Sequence, residues 1–554
     1  MHHRSFLLLV LLALPISGIC QGRTNARSMV ISENGIVATS HYLASQAGAR
    51  ALANGGTAID AAITANAVLN VTEPMMNGMG GDLFLLYWDA KSQKLYGLNA
   101  SGWAPKGLTP EYLQKKGATK MPYDGIDAVT VPGVVDGWSK AHQKFGKLPW
   151  KDLFQPAIYY AEHGYAVPEM IAGFWKAAAP VLKSDEAKRV FLPGGKPLAV
   201  GEKFSNPDVA KALRLVAEQG RDAFYKGTIA QAILETSKSF AGTMTAEDLS
   251  EFSSEWVEPI SIDYRGWKIY QIPPNAQGMA VLEMMGILSN FEPAKDGPIS
   301  ADELHTRIEA MKLAYADLYK YNADPKFAKV PVQELLSKSY LAKRAALIDP
   351  NKANCSPEAG APTGTDTTYL AAVDKDGNIA SLIQSNYNEF GSGIAVKGMG
   401  FMLQNRGALF SLDPQSPNVL QPRKRPFHTI IPGFMERGDV HIGFGIMGGS
   451  MQPLSNAQFL SNFIDYGMNI QAALEQPRFI GSQKTCNIGM ESRVPPEVRD
   501  ALTKKGHEID LRGDYSSAMG RGQVVMHDSK SGMNYAASDA RADGTAEIEP
   551  VSYK

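Results

Sequence analysis

The sequence is poor in cysteine: among 554 residues only Cys20, Cys355 and Cys486 occur, with no Cys-x-x-Cys pair, so neither a disulfide framework nor a cysteine zinc site is expected. It also lacks an excess of either charge. The 55 Lys and Arg stand against 56 Asp and Glu, which leaves no global attraction for nucleic acid or anionic lipid. No apolar run approaches the roughly 20 residues that span a bilayer, so no membrane anchor is expected. Gly-x-Ser-x-Gly, His-Glu-x-x-His and Gly-x-x-x-x-Gly-Lys are all missing, and the ten histidines are scattered. Elbow-type serine hydrolysis, metal catalysis and phosphate-loop chemistry therefore lose their cues, and the sequence calls for no cofactor. There is no internal repeat, low-complexity tract or charge block.

What is present begins with a leader. His2, His3 and Arg4 precede an apolar run over 6–14, followed by Pro15 and small residues up to Gly22. That pattern predicts a signal peptide over 1–22 and an exported protein, periplasmic or secreted. Its removal leaves Cys355 and Cys486, read as two buried thiols, with pairing in an oxidising compartment as the alternative.

Helical periodicity is good over 45–52, 58–69, 211–218, 228–237, 279–288 and 303–319, and 135–350 reads as mostly helical. The run opening at Asp82 reads as a strand buried on both faces. Texture changes at 356–366, a Pro/Gly/Ser/Thr stretch predicted to be a surface segment. Two apolar runs follow, 367–374 and 379–385, joined through Asp376-Gly377, which predicts a hairpin. Further strands are expected near 440–446, 523–526 and 534–537, and helices at 452–464 and 470–475. The simplest architecture is one layered α/β unit with sheets inside and helices outside. Two domains meeting at 355–366 is the competing reading.

Gly443, Gly445 and Gly448 satisfy Gly-x-Gly-x-x-Gly with Asp465 about 20 residues on, a dinucleotide-site pattern. The sequence around Asp465 reads as helix rather than strand end, which favours glycines that serve a tight turn or expose backbone N–H groups. The stronger signal is Asp366-Thr367. A threonine opening a strand after a surface segment becomes an N-terminal nucleophile if the preceding bond is cut, with its own α-amine as base, so that no histidine is required.

Several motifs occur in one order along the mature chain: 55–63 (GGTAIDAAI), 77–84 (NGMGGDLF), 131–138 (VPGVVDGW), 309–317 (EAMKLAYAD), 367–385, 390–394 (FGSGI), 424–432 (KRPFHTIIP), 445–450 (GIMGGS), 466–479 and 536–541 (AASDAR). This ordered set resembles the γ-glutamyltransferase family. The resemblance implies an αββα sandwich of the N-terminal nucleophile hydrolase type. It also implies self-cleavage between Asp366 and Thr367 into a large subunit, 23–366, and a small catalytic subunit, 367–554, which associate as a heterodimer in one interleaved domain. Thr367 is then the nucleophile, Ser385 its hydroxyl partner, and Gly448 and Gly449 the oxyanion-binding pair; the substrate is a small amide or peptide of the γ-glutamyl kind.

The sequence departs from the family pattern where the glutamyl group is read. Ser101 stands at the place of the carboxylate-binding arginine, and Tyr387, Arg406 and Leu409 replace donor-binding polar residues. His428 and Thr429 replace paired serines, and 411–424 is about ten residues short of the usual lid. Arg406, Tyr387, Glu389, His428 and Thr429 are thus the implied substrate-binding set. An arginine there would repel an ammonium and attract a carboxylate. The combination looks like the lidless, acylase-like branch, favouring hydrolysis over transfer. The alternatives are an acylase for non-amino acyl amides, such as glutaryl compounds, and a non-catalytic exported binding protein.

Overall fold

Thr57 and Asp60 form a capping box that starts a helix whose fifteen residues are all buried, so this helix is apolar all round and must lie inside the protein. It is α2, Ala58–Thr72, and it follows α1, Tyr42–Ala53. The computed structural model describes residues 25–355 and 367–552; the predicted leader, the 356–366 segment and Asp366 lie outside the described residues.

Among the described residues, fourteen strands form two sheets of seven. In chain order they are β1 Val30–Ser32, β2 Ile36–Thr39, β3 Asp82–Asp89, β4 Lys94–Ala100, β5 Glu255–Val257, β6 Ile260–Tyr264, β7 Trp267–Gln271, β8 Thr368–Val373, β9 Ile379–Ser385, β10 Gly433–Arg437, β11 Val440–Met447, β12 Arg521–Asp528, β13 Met533–Ser538 and β14 Thr545–Ile548. One sheet runs β14-β2-β8-β9-β3-β4-β5 and the other β1-β13-β12-β11-β10-β7-β6. Strands from before and after Thr367 alternate within both, so the reading as two separate domains is overturned.

Period-two alternation decides which side chains go where. Along β8, Tyr369, Ala371 and Val373 enter the core between the sheets, while Leu370 and Ala372 join the core under α1 and α2. On the far side α3, Gly278–Leu288, α4, Ala301–Tyr321, and α5, Gln452–Ile464, cover the second sheet. The layers are therefore helix, sheet, sheet, helix, the αββα sandwich that the resemblance implies. The helical reading of 135–350 needs one amendment, since β5 to β7 fall inside it and supply edges to both sheets.

The dinucleotide pattern is accounted for by packing. Gly443 and Gly445 lie within β11, where an added Cβ would come within 2.6 Å of Ile379 Cγ2 and 2.4 Å of the Tyr369 ring, respectively. Glycine at both positions lets the two sheets approach. The cysteine expectation is corrected: Cys355 and Cys486 form a disulfide, with Cα atoms 4.7 Å apart across 131 residues of sequence. Ala353 N–H bonds Lys505 O and Glu508 N–H bonds Cys486 O, which brings the two chain segments together. Among the described residues no helix is long and apolar enough to cross a membrane.

Candidate active site

Thr367 leads into β8 and is fully buried. The antiparallel register pairs Thr368 with Gln384 and Ser385 with Asp82. Thr367, one residue earlier, therefore falls opposite Ser385, and Thr367, Ser385 and Asp82 stand side by side across three neighbouring strands. Ser385 Oγ accepts the Tyr387 N–H at 2.7 Å, which turns the chain away at the end of β9.

The glycine pair reaches the same place through Gln452. Its Nε2 donates to Thr367 Oγ1 at 3.1 Å and its Oε1 accepts the Ile431 N–H at 3.0 Å. Gln452 opens α5, directly after the turn that β11 runs into. Gly448 in that turn has φ 145° and Gly449 has φ 61°, conformations that L side chains rarely adopt. Gln277 Nε2 donates to Gly449 O at 2.9 Å and also to Thr429 O, and Tyr315 Oη donates to Ser450 O at 2.7 Å. A positive-φ turn running into a helix N-terminus gathers backbone N–H groups, an arrangement that stabilises a developing oxyanion.

Near Asp82 lies a second buried polar group. Arg406 is fully buried, donates from Nη1 to Thr429 Oγ1 at 2.7 Å and stacks over the Tyr387 ring at 4.5 Å. Its Nε and Nη2 make no hydrogen bond among the described residues. Burial lowers the Arg406 guanidinium to about 10, against the opposing pull of Asp82. Asp82 in turn is raised to about 7 by burial, although Arg406 and the Gly102 N–H favour its charged form. His428 Nε2 lies 2.9 Å from Asp82 Oδ2, and burial, then the Arg406 charge, hold its imidazole well below the usual histidine range. His428 is thus neutral, bridging Asp82 to the loop that carries Thr429.

The remaining predicted positions are less engaged. Glu389 is half-buried and makes no hydrogen bond or ion pair among the described residues. Ser101 Oγ donates to Asn99 Oδ1 at 2.6 Å. An arginine does lie beside it in space: Arg425 Nε donates to Ser101 O at 3.0 Å, but its Nη1 is held by Glu255 at 2.9 Å. Leu409 lines a cavity of about 860 Å³ with Met121, Tyr319, Asn322, Phe410 and Phe427. Tyr319, on the wall of this cavity, is one helical turn beyond Tyr315, whose hydroxyl bonds Ser450 O.

Three residues of the cluster carry no assignment from sequence: Asp82, Gln277 and Gln452. Asp82 had a signal, a carboxylate opening an apolar strand. Gln452 and Gln277 had none beyond their place at a helix start.

Comparison with known proteins agrees with this picture. The gamma-glutamyltranspeptidase family model matches residues 44–548. A glutathione hydrolase-like YwrD proenzyme of Bacillus subtilis is 37% identical, covering 93% of this chain and 99% of the relative. An acylase ACY 1 proenzyme of Pseudomonas sp. is 33% identical, covering 92% and 93%. The crystal structure of a cephalosporin acylase from Bacillus halodurans superposes with a TM-score of 0.89 at 42% identity, covering 97% of this chain and 99% of that one. With its sandwich fold and near-complete coverage by such relatives, the chain belongs to the gamma-glutamyltranspeptidase family, as an enzyme of its acylase-like branch and an amidohydrolase of that type.

Proposed function

We propose that this enzyme is made as one inactive chain, cuts itself between Asp366 and Thr367, and then hydrolyses γ-glutamyl or related acyl amides, glutathione-type compounds among them, through Thr367. The observation that carries the reading is the placement of Thr367 opposite Ser385 with its Oγ1 held by Gln452, the residue that follows the Gly448–Gly449 turn.

In the first event the Thr367 hydroxyl attacks the Asp366 carbonyl, the acyl group moves from nitrogen to oxygen, and water resolves the ester. This yields the Asp366 carboxylate and a free α-amine on Thr367. That amine then takes the proton of the same hydroxyl as it attacks a substrate amide, the leaving amine departs with a proton, and water hydrolyses the acyl-enzyme. Ser385 orients the nucleophile, while the Gly448 and Gly449 N–H groups receive the oxyanion charge; losing one such donor typically costs about 100-fold or more. The pieces 23–366 and 367–554 remain together as a heterodimer, and the leader directs the protein to the periplasm or beyond, which cell fractionation tests.

The full chain should run as two bands on a reducing, denaturing gel, the smaller beginning at Thr367 by N-terminal sequencing, and Thr367→Ala should remain a single chain. A persistent single wild-type chain refutes the reading.

A second reading, an acylase for non-amino acyl groups, is favoured by Arg406. Its two unengaged nitrogens suit a distal carboxylate, and Leu409 offers nothing to an ammonium. The cavity of about 860 Å³ lined by Ala408 and Leu409, shortly after Arg406 in the chain, offers room for a bulky amine. Glutaryl-, γ-glutamyl- and butyryl-anilides compared on the processed enzyme separate the two.

A further inference from the structure

Away from this site, His305, Glu309 and His507 bring one ligand atom each to within 4.8 Å of one another, and all three residues are buried. His305 and Glu309 are one turn apart on α4, and His507 sits between the helix Pro496–Lys504 and the strand Glu508–Arg512. The hydrogen bonds fix the protons. His305 Nε2 is 2.8 Å from Asp349 O, a pure acceptor, so His305 carries its proton there and offers the Nδ1 lone pair. His507 Nε2, 2.8 Å from that Nδ1, is then the donor, and His507 Nδ1 is left as a buried lone pair with no partner.

We propose that His305 Nδ1, Glu309 and His507 Nε2 form a binding site for a late first-row divalent cation such as Zn²⁺, joining the chain segments on either side of Asp366–Thr367. Two imidazoles and a carboxylate are a common zinc set, with water as a fourth ligand. The Asp349 carbonyl already holds His305 in the ligating tautomer, the usual outer-shell device. On binding, the His507 Nε2–H bond gives way to the metal–nitrogen bond and the proton moves, through solvent, to the partnerless Nδ1, so no net proton is released.

The surrounding charges are accounted for on each packed element. Lys312 on α4 is 2.8 Å from Glu309 Oε1, and Lys505, before His507, pairs with Asp302 at 3.0 Å. Glu309 Oε2 accepts the Asn354 N–H at 3.0 Å, next to the disulfide at Cys355. These cations weaken the site relative to a dedicated structural zinc centre.

The test is titration of chelator-treated full chain with ZnCl2 by calorimetry, with thermal melts alongside, for wild type, His305→Gln and His507→Gln. One equivalent bound with micromolar affinity, a raised Tm, and a loss of about tenfold or more in each variant are expected. No saturable one-to-one binding, or equal binding by the variants, overturns the proposal. Should the variants misfold, anomalous diffraction at the zinc edge from zinc-soaked wild-type crystals decides: a peak at this cluster supports the proposal, and its absence refutes it. None of these readouts depends on Thr367 chemistry.

Discussion

Replacement of Arg406 by methionine separates recognition of substrate from support of the site. Methionine is unbranched and can follow much of the same path, so it removes the guanidinium without opening a large void. Arg406 offers two nitrogens with no partner in a fully buried setting. A hydrogen bond to a charged group is worth about 1.5–3 kcal/mol, so a carboxylate accepting from both, after its own desolvation, should gain about 3 kcal/mol. At about 1.4 kcal/mol per factor of ten, kcat/KM for glutaryl-anilide should fall about 150-fold. Butyryl-anilide, which lacks the distal carboxylate, should change by no more than about threefold on the same reasoning. Stability should hold, because Asp82, deprived of its neighbouring cation, stays protonated instead of remaining as an isolated charge. The assay is initial-rate kinetics on the processed variant with both anilides. Parallel losses on the two would show that Arg406 only props the site; an unchanged glutaryl rate would show that it reads no carboxylate.

Gly448→Ala forces a side chain onto φ 145° and puts its Cβ 3.2 Å from Gly520 Cα, so kcat should fall about 100-fold with circular dichroism preserved; a wild-type rate removes this turn from the oxyanion role. Processed enzyme should run as one band on a non-reducing gel and split on reduction, and Cys486→Ser should split without reductant. Asp82, raised to about 7 in the folded chain, binds its proton more tightly there than when unfolded, so its contribution to stability is greatest in acid and declines as pH rises from the ordinary carboxylate range towards 7. Melts should therefore show Asp82→Asn gaining on wild type between pH 5 and pH 8, and a constant difference would contradict the assignment.

The parts legible in the sequence were those set by local pattern. The helices at 452–464 and 470–475 and the hairpin through Asp376-Gly377 follow from period and turn chemistry, and their bounds match closely. The strands at 255–271 were hidden because they are short, lie at or next to sheet edges and are embedded among helices. Thr367 stood out through its place after the 356–366 segment. Gln452 and the Asp82–His428 contact could not be read, since they join residues 85 and 346 positions apart and depend on tertiary placement alone. The cysteines failed for a related reason: composition counts thiols but does not say which are brought within bonding distance.

The interleaved sheets have a consequence for biosynthesis. β8 carries Thr367 at its head and lies between β2 and β9, while β11 to β13 of the second sheet are flanked by β1 and, through β10, by β7. Neither portion of the chain owns a complete sheet, so neither has a native shape to adopt by itself. On the proposed self-cleavage, tertiary assembly must come first and scission last, which would make the cut a report that assembly has succeeded. A gene split at this bond would yield two orphans requiring simultaneous co-folding, whereas a nick introduced after folding leaves the architecture standing.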